Sequence, residues 1–213
     1  MQLQHNPAHR ISRGAPLSKA EKVMLMVHGR GASAESILSL SEYFPDPNLA
    51  FVAPQATQNS WYPYSFMAPT QQNEPGLSSA LGVLGTIVDA LHNEYGFAYE
   101  HIYLLGFSQG ACLALDYAAR NPTQYGGVFG LSGGLIGPEG MLPDYGGNLA
   151  GTPVFLGCSD VDFHIPKERV QESDAIFKSL NANVLTKLYE NFGHSINDDE
   201  LKIVNAVLAS GSF

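Results

Sequence analysis

The stretch HIYLLGFSQGACLAL, residues 101–115, decides how the rest of the chain is read. Residues 101–105 are a short run rich in strand formers, closed by Gly106. Residues 109–120 carry Ala111, Cys112, Leu113, Ala114 and Leu115 and read as a helix stopped by Asn121-Pro122. Between the two stands Gly106-Phe107-Ser108-Gln109-Gly110, a G-x-S-x-G string. Strand, serine and helix in direct succession force a sharp turn at the serine and lift its hydroxyl above a sheet. Small residues flank it because backbone segments close in there. The helix N-terminus beneath the serine also favours a developing negative charge.

The string occurs a second time, at Gly130-Leu131-Ser132-Gly133-Gly134. Roughly one chain in ten of this size would show it by chance at average glycine and serine usage, so the string alone says little. Ser132 follows an apolar run at 128–131, but Gly133, Gly134, Gly137 and Pro138 cannot sustain a helix after it. Ser108 is the expected nucleophile. Ser132 is expected in a loop beside the site, as a candidate for substrate contact.

Outward from residue 108 the same alternation recurs. Apolar runs at 23–27, 50–53, 128–131, 154–156 and 184–189 read as strands, the first ending at Gly29 and the second at Pro54. Helical spacing is visible in Leu77, Leu81, Leu84, Val88 and Leu91, then in Val170, Phe177 and Leu180. A last helix opens at Asn197 with Glu200 three residues on, a capping-box arrangement, and buries Leu201, Val204 and Leu208. Residues 1–20 are polar, contain Pro7 and Pro16, and suggest no element. Buried strands alternating with amphipathic helices imply a mostly parallel central sheet flanked by helices in a single domain over residues 1–213. In such sheets the ligand site lies outside the carboxyl ends of the strands.

A serine hydroxyl needs a base to take its proton and a third group to orient that base. Among seven histidines, His194 follows a strand, stands after Gly193 and precedes the last helix. It is the expected base. The acid should lie between Ser108 and His194, after the strand near 154–156. Asp160 and Asp162 both qualify, and spacing alone does not choose between them. His164 beside them permits a metal reading, but no second spaced ligand pair accompanies it. Backbone N–H groups of Gln109 and Arg30 are expected to receive an oxyanion, the second from the His28-Gly29-Arg30-Gly31 loop. His28 counts as a further substrate-binding candidate.

Taken together, the HGRG loop, Trp61-Tyr62-Pro63, Asn73-Glu74-Pro75, GFSQG, Leu131-Ser132-Gly133-Gly134, the 162–166 stretch and Gly193-His194 resemble the phospholipase/carboxylesterase family of α/β-hydrolases, which includes acyl-protein thioesterases. The resemblance covers most of the chain. It implies an α/β-hydrolase fold and a Ser-His-Asp triad cleaving small or medium acyl esters without a cofactor. It selects Asp162, which precedes the motif proline Pro166 by four residues. Acyl thioesters and lysophospholipids are the neighbouring substrate classes. A dienelactone hydrolase would carry cysteine where Ser108 stands, and a binding protein built on the same scaffold is the rival outside enzymes.

About twenty residues separate Ser132 from Pro153, too few for a helical cap, so an open site is expected. The longer 54–76 connection carries Trp61, Tyr62, Tyr64, Phe66 and Met67, suited to an apolar pocket, with Trp61 the leading candidate. A formal charge of −9 with eleven Lys and Arg supplies no basic footprint for nucleic acid. Apolar runs are too short to span a membrane. Without a leader-like opening and with only Cys112 and Cys158, the expectation is a cytoplasmic protein with reduced thiols, no metal and a small-molecule ester as partner. A homo-oligomer is compatible with all of this.

Overall fold

The computed structural model describes residues 3–213. One seven-stranded sheet organises them: β1 (Arg10–Gly14), β2 (Lys22–Val27), β3 (Leu49–Pro54), β4 (Ile102–Phe107), β5 (Gly127–Leu131), β6 (Pro153–Ser159) and β7 (Asn183–Tyr189). Their spatial order is β1-β3-β2-β4-β5-β6-β7. Only β1 runs antiparallel, pairing Ile11 with Ala53. Every other pair is parallel.

Side-chain alternation along the strands sorts the core into two faces. Val23, Leu25 and Val27 of β2 pack with α3 (Gly76–Asn93), α4 (Gln109–Arg120) and α5 (Lys167–Ser179). Met24 and Met26 face the other way, onto α1 (Ala34–Leu38) and α6 (Asp198–Ser210). Because both faces are covered, the central strands are apolar throughout rather than alternating. A short α2 (Thr70–Asn73) lies in the connection from β3 to α3.

The expected architecture is the one found. The 132–152 connection contains no helix or strand, so nothing caps the sheet there. α6 starts on the capping box foreseen for it. The Asn197 side chain accepts the N–H groups of Asp199 and Glu200 at 2.9 and 3.0 Å, and the Glu200 carboxylate accepts Asn197 N–H at 2.9 Å. Cys112 and Cys158 are both free and buried.

One strand escapes the sequence. β1 lies within the polar opening, and all five of its residues are exposed. It is held by backbone pairing to β3 and carries no alternation of apolar residues to betray it. Among the described residues no helix is long and apolar enough to cross a membrane.

Strand order reverses at β2. The chain steps from β2 outward to β3, then crosses back to lay β4 on the opposite side of β2. The loops leaving the carboxyl ends of β2 and β4 therefore diverge and leave a crevice between them. Those loops carry Arg30 and Ser108.

Candidate active site

Ser108 sits between β4 and α4 at φ 55°, ψ −121°, a positive-φ conformation that costs a non-glycine residue on the order of 1–3 kcal/mol. The surroundings enforce it. Ser108 N–H donates to the Leu131 carbonyl at 3.0 Å, and the Ser108 carbonyl accepts Cys112 N–H at 3.0 Å. The two motif glycines are dictated by crowding. A Cβ at Gly106 would strike the Gly110 carbonyl, and one at Gly110 would strike the carbonyl oxygens of Val27 and His28.

His194 reaches this serine from the loop between β7 and α6. Its Nε2 lies 2.8 Å from Ser108 Oγ, and its Nδ1 lies 2.7 Å from Asp162 Oδ2. Because Nδ1 faces a carboxylate, Nδ1 carries the proton and Nε2 is free to accept from the serine hydroxyl. The Asp162 side chain is fully buried, and its other oxygen accepts the N–H groups of His164 and Ile165 at 2.8 and 3.1 Å. Burial alone would raise its pKa. The bond from His194 and the two backbone N–H groups together outweigh that and hold the carboxyl below its ordinary value. Asp160, the competing acid, accepts Asn191 N–H at 2.8 Å and steadies the loop leading to His194. An aligned hydroxyl, imidazole and buried carboxylate can move a proton off the hydroxyl as it attacks.

Facing Ser108 is the turn after β2. A Cβ on Gly29 would lie 3.3 Å from the Phe107 carbonyl and 3.4 Å from Ser108 Cβ, so glycine lets the turn press against the serine. Gly31 N–H fixes the turn to the Asn59 carbonyl at 2.7 Å. Gln109, as the first residue of α4, has a backbone N–H with no acceptor within the helix.

The cleft above these groups has a volume of about 580 Å³ and is lined on one side by residues 62–66, on the other by Phe107, His164 and His194. Cys112 and Ile165, both buried, line it as well. Burial pushes the Cys112 thiol up to about 12, and Cys158 likewise, so neither is a thiolate near neutral pH. Among the described residues no group of three or more His, Cys, Asp or Glu side chains is gathered as a metal site would need.

Three expected substrate contacts are corrected here. Trp61, Ser132 and His28 are each 0% exposed, and none lines the cleft. The Trp61 indole turns inward, donating to the His28 carbonyl at 2.8 Å between the rings of His5 and His28. Ser132 is drawn down onto the sheet end by its N–H bond to the Gly157 carbonyl at 2.7 Å. His28 accepts Ala56 N–H through Nε2 at 3.1 Å and donates from Nδ1 to the Gly29 carbonyl at 2.8 Å, leaving no free ring nitrogen.

Of the aromatic residues expected to build the pocket, Tyr62, Tyr64 and Phe66, rather than Trp61, form the wall. The contacts that hold this wall were not foreseen. The Gln109 side chain accepts Trp61 N–H at 2.9 Å and donates to the Tyr62 carbonyl at 2.8 Å, tying that wall to the serine turn. His5 grips the same loop with both ring nitrogens: Nδ1 accepts Thr57 N–H at 3.1 Å and Nε2 donates to the Trp61 carbonyl at 2.8 Å. No periodicity marks such contacts, because they join residues far apart in the chain.

Comparison with known proteins identifies the family. Residues 11–210 match the phospholipase/carboxylesterase family. The crystal structure of a phospholipase/carboxylesterase from Dyadobacter fermentans is similar at 45% identity and a TM-score of 0.92, covering 96% of this chain and 98% of that one. Acyl-protein thioesterase 1 of Candida albicans is 27% identical over 207 residues, 86% of this chain and 89% of the relative. Arabidopsis thaliana SOBER1, at 22% identity and a TM-score of 0.73 over 90% of this chain and 99% of that one, shares the fold. Since the match runs from β1 to the last residue of α6, the chain belongs to the phospholipase/carboxylesterase family of the α/β-hydrolase superfamily.

Proposed function

We propose that the protein is a serine esterase that hydrolyses small or medium acyl esters through Ser108, His194 and Asp162. The observation that carries this reading is the continuous relay of 2.8 and 2.7 Å from the serine hydroxyl through the imidazole to the buried carboxylate. Ser108 Oγ attacks the ester carbonyl carbon as its proton passes to His194 Nε2. The carbonyl oxygen takes the negative charge and receives the backbone N–H groups of Arg30 and Gln109. Collapse expels the alcohol, which leaves with the proton from His194, and an acyl group remains on Ser108. Water, deprotonated by the same imidazole, then releases the acid and restores the serine. Asp162 stays ionised throughout, holding the ring and stabilising its charged form.

No cofactor enters these steps. A reducing, cytoplasmic setting fits the two free, buried thiols. Thioesters are a second substrate class, favoured by the likeness to acyl-protein thioesterase 1 along most of the chain.

The test is turnover of p-nitrophenyl butyrate alongside an acyl-CoA, with and without S108A. Wild type should release p-nitrophenol and label with a fluorophosphonate, and S108A should lose both, by about a million-fold in rate. Retained turnover in S108A would end the assignment. Faster release of CoA than of p-nitrophenol would favour the thioester reading.

A further inference from the structure

We propose that Arg30 is a specificity-determining residue whose side chain straps the turn after β2 to the aromatic wall and confines the cleft to short acyl chains. This rests on the esterase reading above.

Arg30 belongs to the turn beside Ser108, yet its guanidinium reaches across to the opposite wall. Nη1 donates to Ser60 Oγ and to the Pro63 carbonyl, each at 2.9 Å, and Nη2 donates to the Tyr64 carbonyl at 2.7 Å. Its Cζ lies 5.9 Å from the centroid of the Tyr62 ring. All four partners belong to the single segment 60–64. A planar fork of diverging donors can hold three acceptors at once, which an ammonium on a flexible stem does less well.

The strap is strong enough to persist at the surface. Three hydrogen bonds and a ring contact made by one planar group together offset the rotamer freedom lost in fixing a long side chain. Within the strap the charge is met only by carbonyl oxygens, a hydroxyl and a ring face. Among the described residues no carboxylate forms an ion pair with it.

The consequence for substrates follows from where this charge is held. Tyr62, Phe66, Cys112 and Ile165 give the cleft an apolar interior for the first methylene groups of an acyl chain. At Arg30 the turn after β2 and the 60–64 segment are joined by hydrogen bonds. A longer chain must part them, or lie against a guanidinium whose hydration it strips, and both are unfavourable. The Arg30 main chain and side chain thus act at the same carbonyl from two sides, one on its oxygen and the other on its acyl length.

The experiment is a series of p-nitrophenyl esters from acetate to decanoate, read as kcat/KM for each ester relative to butyrate within each variant. Wild type should fall by roughly tenfold or more between butyrate and octanoate. R30A should raise the octanoate-to-butyrate ratio by about tenfold, chiefly through a lower KM for octanoate. R30K, with one compact donor group, should lie between the two. S60A, which removes one acceptor without altering residue 30, should shift the ratio the same way by a smaller factor. It also keeps the test alive if R30A fails to fold. Profiles of R30A, R30K and S60A that run parallel to wild type would overturn the proposal, as would a wild-type enzyme that takes decanoate as readily as butyrate. A wild-type protein that cleaves no ester in the series would instead sink the esterase reading, and this one with it.

Discussion

At Asp162 the local contacts, rather than the charge itself, decide what the residue can do. Its buried carboxylate is kept ionised by the His194 ring and by two backbone N–H groups, whereas Asp160 spends its side chain on the loop at Asn191. Replacing Asp162 by Asn keeps the shape but turns the neutral imidazole toward the wrong tautomer. D162N should lower kcat by about 10,000-fold with little change in KM. D160N should lose far less and act mainly on stability. A pair of ester-hydrolysis assays with matched melting curves separates the two. Spacing alone left these aspartates level, because both follow β6 and both can reach the sheet edge. The hydrogen-bond partners distinguish them, on the side the family resemblance favours.

At the level of the element, the opening of α6 carries a titration that the capping pattern did not disclose. Glu200 Oε2 completes the capping box, while Oε1 is buried against Gly157, where a Cβ would strike it, and has no hydrogen-bond partner. Burial pushes this carboxyl up to about 7 from an ordinary value of 4.5. A raised carboxyl favours the protonated fold, so its contribution is full below pH 4.5 and is lost as pH rises through about 7. The melting temperature of wild type should therefore drop across that window relative to E200Q, whose amide keeps an acceptor for Asn197. A slope unchanged in E200Q would refute this.

The loop from 55 to 61 shows the opposite sign. Burial lowers the pKa of His5, against the raising effect of its bond to the Trp61 carbonyl, and burial likewise lowers that of His28. Both rings use one nitrogen as an acceptor, so the fold needs them neutral. The stability they supply is present above pH 6.5 and is lost as pH falls below it. The chain has one tryptophan, Trp61, held between these rings. Its emission should fall on acidification below pH 6.5, and H5F should flatten that titration.

Across the whole molecule, the loop that follows β5 is held by one buried cation. Arg169 of α5 donates to the carbonyls of Leu135, Gly137 and Pro138 at 2.8, 2.8 and 3.1 Å and to Glu172 at 2.9 Å, with Phe66 of the cleft wall 5.9 Å beneath its Cζ. R169M would fill similar space but strand three carbonyls, and should cost about 3 kcal/mol in urea unfolding. Since Phe66 lines the cleft, the same variant should raise KM for esters. An unfolding midpoint equal to wild type would show that the loop does not depend on Arg169.

What the sequence determined by itself was everything carried by neighbours along the chain. Strand, serine and helix around residue 108, the glycines that crowding demands there, the capping box at Asn197 and the apolar strands of a covered parallel sheet are all local patterns. What only the tertiary structure decided was the partnering of segments distant in sequence. Trp61 turned inward toward His28, Ser132 turned down onto β6, Arg30 crossed to the 60–64 wall, and β1 joined the sheet through its backbone alone. The physical reason is that hydrogen bonds between remote loops follow strand order and packing, and no residue spacing records them.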